Sequence, residues 1–258
     1  MPTLELSPVV LAFLFGGGLF AGFVDSIAGG GGLISLPVLL SVGLPPQLAL
    51  GTNKLQGSFG TFSSALNYIR KGKADLKRSF PGILFTLTGA VSGAWVIQQL
   101  DADFLKPLIP ILLAMVFVYT LFSPRLGYTS RQSLMPERPF FILFGVGLGF
   151  YDGFFGPGAG SFWTAALLVF LGYDMTRAAG STRIMNFTSN LVALAMFVIG
   201  GNVLYSAGLC MAAGQVIGAR VGSNLAIRNG ARFIRPVFLV VVFLTIVRLV
   251  YLYSFAAV

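Results

Sequence analysis

Long apolar runs, broken by glycine clusters and separated by short charged loops, set the pattern of this chain. Ten segments can be read: 8–24, 33–42, 47–69, 80–100 and 104–122, then 139–155, 161–171, 175–199, 203–227 and 233–257. Most approach or exceed the ~20 residues that carry a helix across a bilayer's hydrocarbon core. Segments 33–42 and 161–171 do not, because a helix rises only ~1.5 Å per residue. The pattern predicts an all-α polytopic membrane protein.

The two short segments occupy corresponding places because the chain repeats itself. Gly22-Phe23-Val24-Asp25 is echoed by Gly149-Phe150-Tyr151-Asp152, and each leads into a glycine-rich break. The breaks are Gly29-Gly30-Gly31-Gly32 and Gly156-Pro157-Gly158-Ala159-Gly160. Gly51-Thr52-Asn53-Lys54-Leu55 lines up with Gly180-Ser181-Thr182-Arg183-Ile184, Gly89-x-x-x-Gly93-Ala94 with Gly214-x-x-x-Gly218-Ala219, and Lys106-Pro107 with Arg235-Pro236. Matches in one order at a nearly constant offset indicate duplication. The expected division is a first transmembrane repeat at 1–124, a linker at 125–138 and a second repeat at 139–258.

Composition agrees with the pattern. Hydrophobic residues make up 56% of the chain, charged residues 10%, and mean hydropathy is +0.86. A soluble surface needs roughly 25% charge. There is no His, and Cys210 is the only cysteine. Those counts exclude a His/Cys metal site, a Ser-His or Cys-His catalytic pair and an intrachain disulfide. No metal, other cofactor or enzymatic activity is expected. With no Lys or Arg before the first apolar run, no cleaved signal peptide is expected either.

Net charge is +9, which in a membrane protein reports basic cytoplasmic loops rather than a nucleic-acid surface. Arg70, Lys71, Lys73, Lys77 and Arg78 follow the third segment, whereas its counterpart in the second half, Gly200-Gly201-Asn202, has no charge. Conversely Arg228, Arg232 and Arg235 follow the ninth segment, while Asp101, Asp103 and a single cation, Lys106, follow the fourth. The basic loop thus moves by one position between halves, as an inverted repeat requires. Arg125, Arg131 and Arg138 place the linker inside, so both termini are expected outside. A tandem repeat of unchanged orientation is the alternative.

The polar groups at membrane depth recur at matching positions. Asp25 and Asp152 precede the breaks. Lys54 is accompanied by Asn53 and Gln56, and Arg183 by Asn186 and Asn190. A buried ionisable group normally faces a cavity or pairs internally, so these residues either handle cargo or tie the halves together. Non-helical backbone at this depth usually lines a cavity, and the half-helix after each break offers free N–H groups to an anion. Gly29, Gly30, Gly31, Gly32, Gly156 and Gly158 are therefore binding candidates with Asn53, Lys54, Gln56, Arg183, Asn186 and Asn190. Asp25 and Asp152 are proton-coupling candidates, with neutralisation of the neighbouring cation as the competing role. Gln215 and Arg220 are weaker pathway candidates. Close helix packing is the expected role of the Gly89/Gly93 and Gly214/Gly218 pairs.

The stretch Gly22 to Gly32, Gly51-Thr52-Asn53-Lys54-Leu55-Gln56, and the second-half stretches Gly149 to Gly158 and Arg183 to Asn190 resemble the TauE/SafE family of membrane transporters. The resemblance spans nearly the whole chain. It implies a multi-pass bacterial inner-membrane protein that exports sulfite or organosulfonates. Arg183 stands where the first half has Lys54, so equal roles do not follow. The expected function is secondary transport of a small anion, with proton coupling an open question and a passive anion channel as the alternative. The expected partners are the lipid bilayer and a small anionic substrate, without nucleic acid. A homo-oligomer is compatible with the sequence.

Overall fold

The computed structural model describes residues 7–101 and 132–230, together with 103–105, 108, 109, 111, 112, 115 and 233. Eight long helices are found among them: α1 Pro8–Ala28, α2 Gly32–Ser41, α3 Pro46–Arg70, α4 Leu76–Gln98, α5 Glu137–Phe154, α6 Ala159–Phe170, α7 Met175–Ile199 and α8 Tyr205–Asn229. No strand occurs among the described residues. The expected fifth and tenth segments lie largely outside the described residues, as do residues 1–6 and 234–258 at the termini.

Local chemistry explains where the helices begin. Ser7 accepts a hydrogen bond from the Val10 N–H at 3.3 Å and is followed by Pro8, whose fixed φ suits a first helical turn. Asp75 caps α4 by accepting from the N–H groups of Lys77 (2.9 Å) and Arg78 (3.2 Å). Asp174 caps α7 from Arg177 at 3.0 Å. The cap at Asp75 starts α4 before the apolar run that marks it in sequence, so Lys77 and Arg78 belong to its first turn rather than to a loop. Likewise α1 runs past the expected end at 24 to Ala28, which puts Asp25 inside the helix.

Exposure is inverted relative to a soluble protein. Val9, Phe13, Phe62, Trp95, Leu143 and Ile217 are exposed, whereas Asp25, Lys54, Asp152 and Arg183 are buried. By length and composition α1, α4 and α7 are apolar enough to cross a membrane, whereas α2 and α6, with 10 and 12 residues, are too short. Apolar side chains turned outward and charges turned inward suit a hydrocarbon solvent.

Three helix pairs organise the interior. Beside α8, α1 runs parallel: a Cβ on Gly18 or Gly22 would strike the backbone of Met211 or Gln215, and one on Gly214 or Gly218 would strike Phe15 or Leu19. A second parallel pair, α4 with α5, is built the same way, with Gly89 and Gly93 against Val146 and Phe150, and Gly149 and Gly153 against Thr86 and Ala90. Backbone approach through small residues replaces the hydrophobic drive that lipid removes. Between these pairs α3 and α7 run antiparallel. Gly51 abuts Phe197, Gly57 abuts Asn190, the Phe62 and Phe187 rings lie 5.2 Å apart, and Gly180 abuts Tyr68.

This arrangement sorts charge by end. Arg70, Lys71, Lys73, Lys77, Arg78, Arg138, Arg177 and Arg228 all fall where α3 and α8 finish and where α4, α5 and α7 start. The opposite end carries Asp101 and, among the described residues, no Lys or Arg.

Candidate functional site

Both cations pair with an aspartate from the other half of the chain. The Lys54 Nζ on α3 lies 2.7 Å from Asp152 Oδ1 on α5 and also donates to the Asp152 backbone carbonyl. Arg183 Nη1 on α7 lies 3.1 Å from Asp25 Oδ2 on α1 and also donates to the Asp25 carbonyl. Each aspartate sits in the last turn of a helix that ends at a glycine break. Each cation thus meets a carboxylate and a carbonyl from the negative end of a helix dipole together.

The surroundings of the two carboxylates differ. Asp25 Oδ1 accepts the Gly31 N–H at 3.1 Å, so it caps the start of α2. Asp152 Oδ2 accepts the Ser189 hydroxyl instead. Lys54 also reaches Asn190 Oδ1 at 3.2 Å, whereas Arg183 Nε returns to the Ala179 carbonyl of its own helix at 3.3 Å.

The breaks bring backbone against backbone. Gly29 ends α1 at φ +86°, a left-handed conformation that a side chain would strain, and Gly158 starts α6 at φ +84°. A Cβ on Gly160 would lie 2.7 Å from the Gly29 Cα. The two broken regions therefore touch.

A polar cavity of about 30 Å³ lies between them. Of the sequence candidates, Asn53, Lys54 and Gln56 line it from α3, Asn186 and Asn190 from α7, and Gly29, Gly32, Gly156 and Gly158 from the breaks. Asp25 and Asp152 line it as well. Gly30, Gly31 and Arg183 do not. Arg183 is fully buried behind the cavity wall, with Nη2 against Gly29 and no protein hydrogen-bond partner. The Gly31 N–H is taken by Asp25, so the α2 start is partly closed to a ligand. Arg220 is exposed, whereas Gln215 lines the cavity. Gly160 of the second break lines it too, and Gly57 and Thr61 join the lining without having been singled out. A signal for both exists: the offset that relates Lys54 to Arg183 also relates Gly57 to Asn186 and Thr61 to Asn190.

Cavity chemistry is amide-rich. Gln56 Nε2 donates to Asn53 Oδ1 at 2.7 Å, and the Ser35 hydroxyl lies 2.6 Å from the same oxygen. Gln56, Asn186 and Gln215 each keep a buried side-chain oxygen without a protein partner. An amide carries two donors and an acceptor, and a half-turn exchanges which of them face a ligand.

A helical membrane protein with buried charges around a small polar cavity has the architecture of a transporter, and its relatives carry that description. A "Probable membrane transporter protein YfcA" from Escherichia coli (strain K12) is 41% identical over 236 residues, covering 92% of this chain and 88% of its own length. A "Probable membrane transporter protein" from Haemophilus influenzae is 40% identical over 242 residues, with 94% and 95% covered. "Probable membrane transporter protein ORF9" from Sinorhizobium sp is 41% identical over 245 residues, with 95% and 94% covered. The family profile "Sulfite exporter TauE/SafE" matches residues 14–249. The chain belongs to that family of membrane transporters. No solved structure matches it.

Proposed function

We propose that this protein is a secondary transporter that exports a small anion, sulfite or an organosulfonate, across the bacterial inner membrane. The carrying observation is the cavity, where the ammonium of Lys54 and turnable amides converge between two cross-repeat ion pairs. Its donors suit an oxyanion, and its buried setting strengthens each charge-assisted hydrogen bond. The family name supports the sulfite assignment.

The chain works as two inverted repeats, with both termini in the periplasm and the basic end in the cytoplasm. Three facts support this reading: corresponding helices α3 and α7 are antiparallel, the partners of α1 and α4 are exchanged between repeats, and the described cations collect at one end. The two ion pairs lie at different depths. In the α3/α7 register Arg183 is level with Ala65, about 16 Å along the axis from Lys54 at ~1.5 Å per residue. The Lys54–Asp152 pair closes the periplasmic side of the cavity and the Arg183–Asp25 pair the cytoplasmic side. Rocking one repeat against the other opens each in turn.

Charge balance supports proton coupling. Two carboxylates and two cations sum to zero, so an entering monoanion leaves the dry site with an uncompensated charge. A proton taken up by either aspartate restores the balance, and one taken up by Asp152 also releases Lys54 toward the cargo. In liposomes, anion flux that responds to an imposed pH gradient and is lost in Lys54→Gln tests this function. Single-channel currents in a planar bilayer would replace it with the channel reading.

A further inference from the structure

Beyond the cavity, α3 carries a buried polar stripe that the two ion pairs do not use. Gln56, Ser64 and Asn67 recur at helical spacing on the side of α3 that carries Gly60, which meets α8, and Gln215 and Ser223 answer them there. The Gln215 side chain lies over Gly60, where a Cβ would strike it, and Asn67 Nδ2 donates to Ser223 Oγ at 2.7 Å. The stripe begins at the cavity wall and ends one turn before Arg70 and Lys71, at the basic end.

Two observations separate this seam from ordinary helix packing. Gln56, Gln215 and Asn67 each bury an oxygen with no protein partner, an expense that a permanently dry interface avoids. At the positions that correspond to Gln56, Ser64 and Asn67 the second half is not polar. At the offset relating Lys54 to Arg183, Ser64 becomes Ala193 and Asn67 becomes Met196, which belong to an apolar cluster. The polar track therefore extends further toward the basic end than toward the other.

We infer that the α3–α8 seam is the closed cytoplasmic half of the cargo path, which parts to admit water and a hydrated anion to the Lys54 cavity. This rests on the transport reading above. The side-chain oxygens left unpaired in the closed seam are those that water hydrates when it opens, and the Arg70/Lys71 cluster concentrates anions at its mouth.

Cysteine accessibility tests the inference in the full chain, with Cys210→Ala as background. A membrane-impermeant maleimide added from the side bearing Lys71 should label Ser64→Cys at least about tenfold faster than Ala193→Cys, because thiol reactivity requires access. Reagent from the opposite side should label neither. If Ser64→Cys destabilises the protein, Asn67→Cys, one turn nearer the mouth, gives the same comparison against Met196→Cys. Anion flux measured on the same variants keeps the two readings apart. Flux with a seam cysteine as unreactive as Ala193→Cys overturns the path and leaves the anion transporter standing. One-sided labelling without flux of any anion upholds the path and removes the anion assignment.

Discussion

The ammonium of Lys54 lies 2.7 Å from Asp152 Oδ1 and donates to the backbone carbonyl of that same aspartate, so one cation neutralises a carboxylate and closes the end of the helix that bears it. Arg183 does the same for Asp25. Each cation thus meets the end of a helix from the other half of the chain.

The first prediction concerns stability. Lys54→Gln leaves the buried Asp152 carboxylate with Ser189 but no cation, and breaking a buried pair costs about 3–5 kcal/mol. Adding Asp152→Asn removes the stranded charge, so the double variant should unfold in detergent at a higher temperature than Lys54→Gln alone. A double variant no more stable than the single would show that the pair is not energetically coupled.

For binding, Lys54→Gln should weaken anion affinity about tenfold or more, since a hydrogen bond to a charged group is worth about 1.5–3 kcal/mol. Lys54→Arg should retain more of it. Arg183→Gln is expected to lower stability rather than affinity measured in the folded fraction, because Arg183 stands behind the wall. Equal affinity losses in the two Gln variants would place Arg183 on the cargo.

Much of this site was legible because charge at membrane depth is scarce. Asp25, Lys54, Asp152 and Arg183 stand out in apolar runs, and the repeat marks them twice. Their pairing was not legible. It depends on the antiparallel register of α3 and α7 and on glycine contacts that set α4 against α5 and α1 against α8. The sequence names both Lys54 and Arg183 as binding candidates without giving them equal roles, and only Lys54 lines the cavity. Gly31 was expected to offer its N–H to an anion, but the nearby Asp25 carboxylate takes it. Helix starts were missed where a polar cap such as Asp75 precedes the apolar run.

The glycines divide by what surrounds them. Gly160→Ala should disrupt the site, since its Cβ would press on the Gly29 backbone and on Asn186. Gly16→Ala meets nothing within 4 Å and should change stability by about 1 kcal/mol or less. Thermal unfolding of the two variants compares them directly, and equal loss would contradict the close approach of the breaks.

For orientation, reporters inserted at Gly72 and Gly201, both in open turns, should lie on opposite faces, with Gly72 cytoplasmic. A shared face would remove the inverted arrangement.

Proton coupling makes a separate demand on the aspartates. Asp25→Asn or Asp152→Asn should leave exchange of anion for anion while abolishing the response to an imposed pH gradient. Variants that both keep that response would assign the carboxylates to neutralising their cations alone.

Flux in proteoliposomes decides whether the Lys54 cavity carries a small anion across the membrane, as proposed above. Sulfite, organosulfonates, thiosulfate and inorganic anions would be compared at equal concentration with and without a pH gradient. The account predicts saturable flux of sulfite or a sulfonate, accelerated by one direction of the gradient and lost in Lys54→Gln. Flux no faster than in protein-free liposomes for every anion, or flux unchanged in Lys54→Gln, would contradict it.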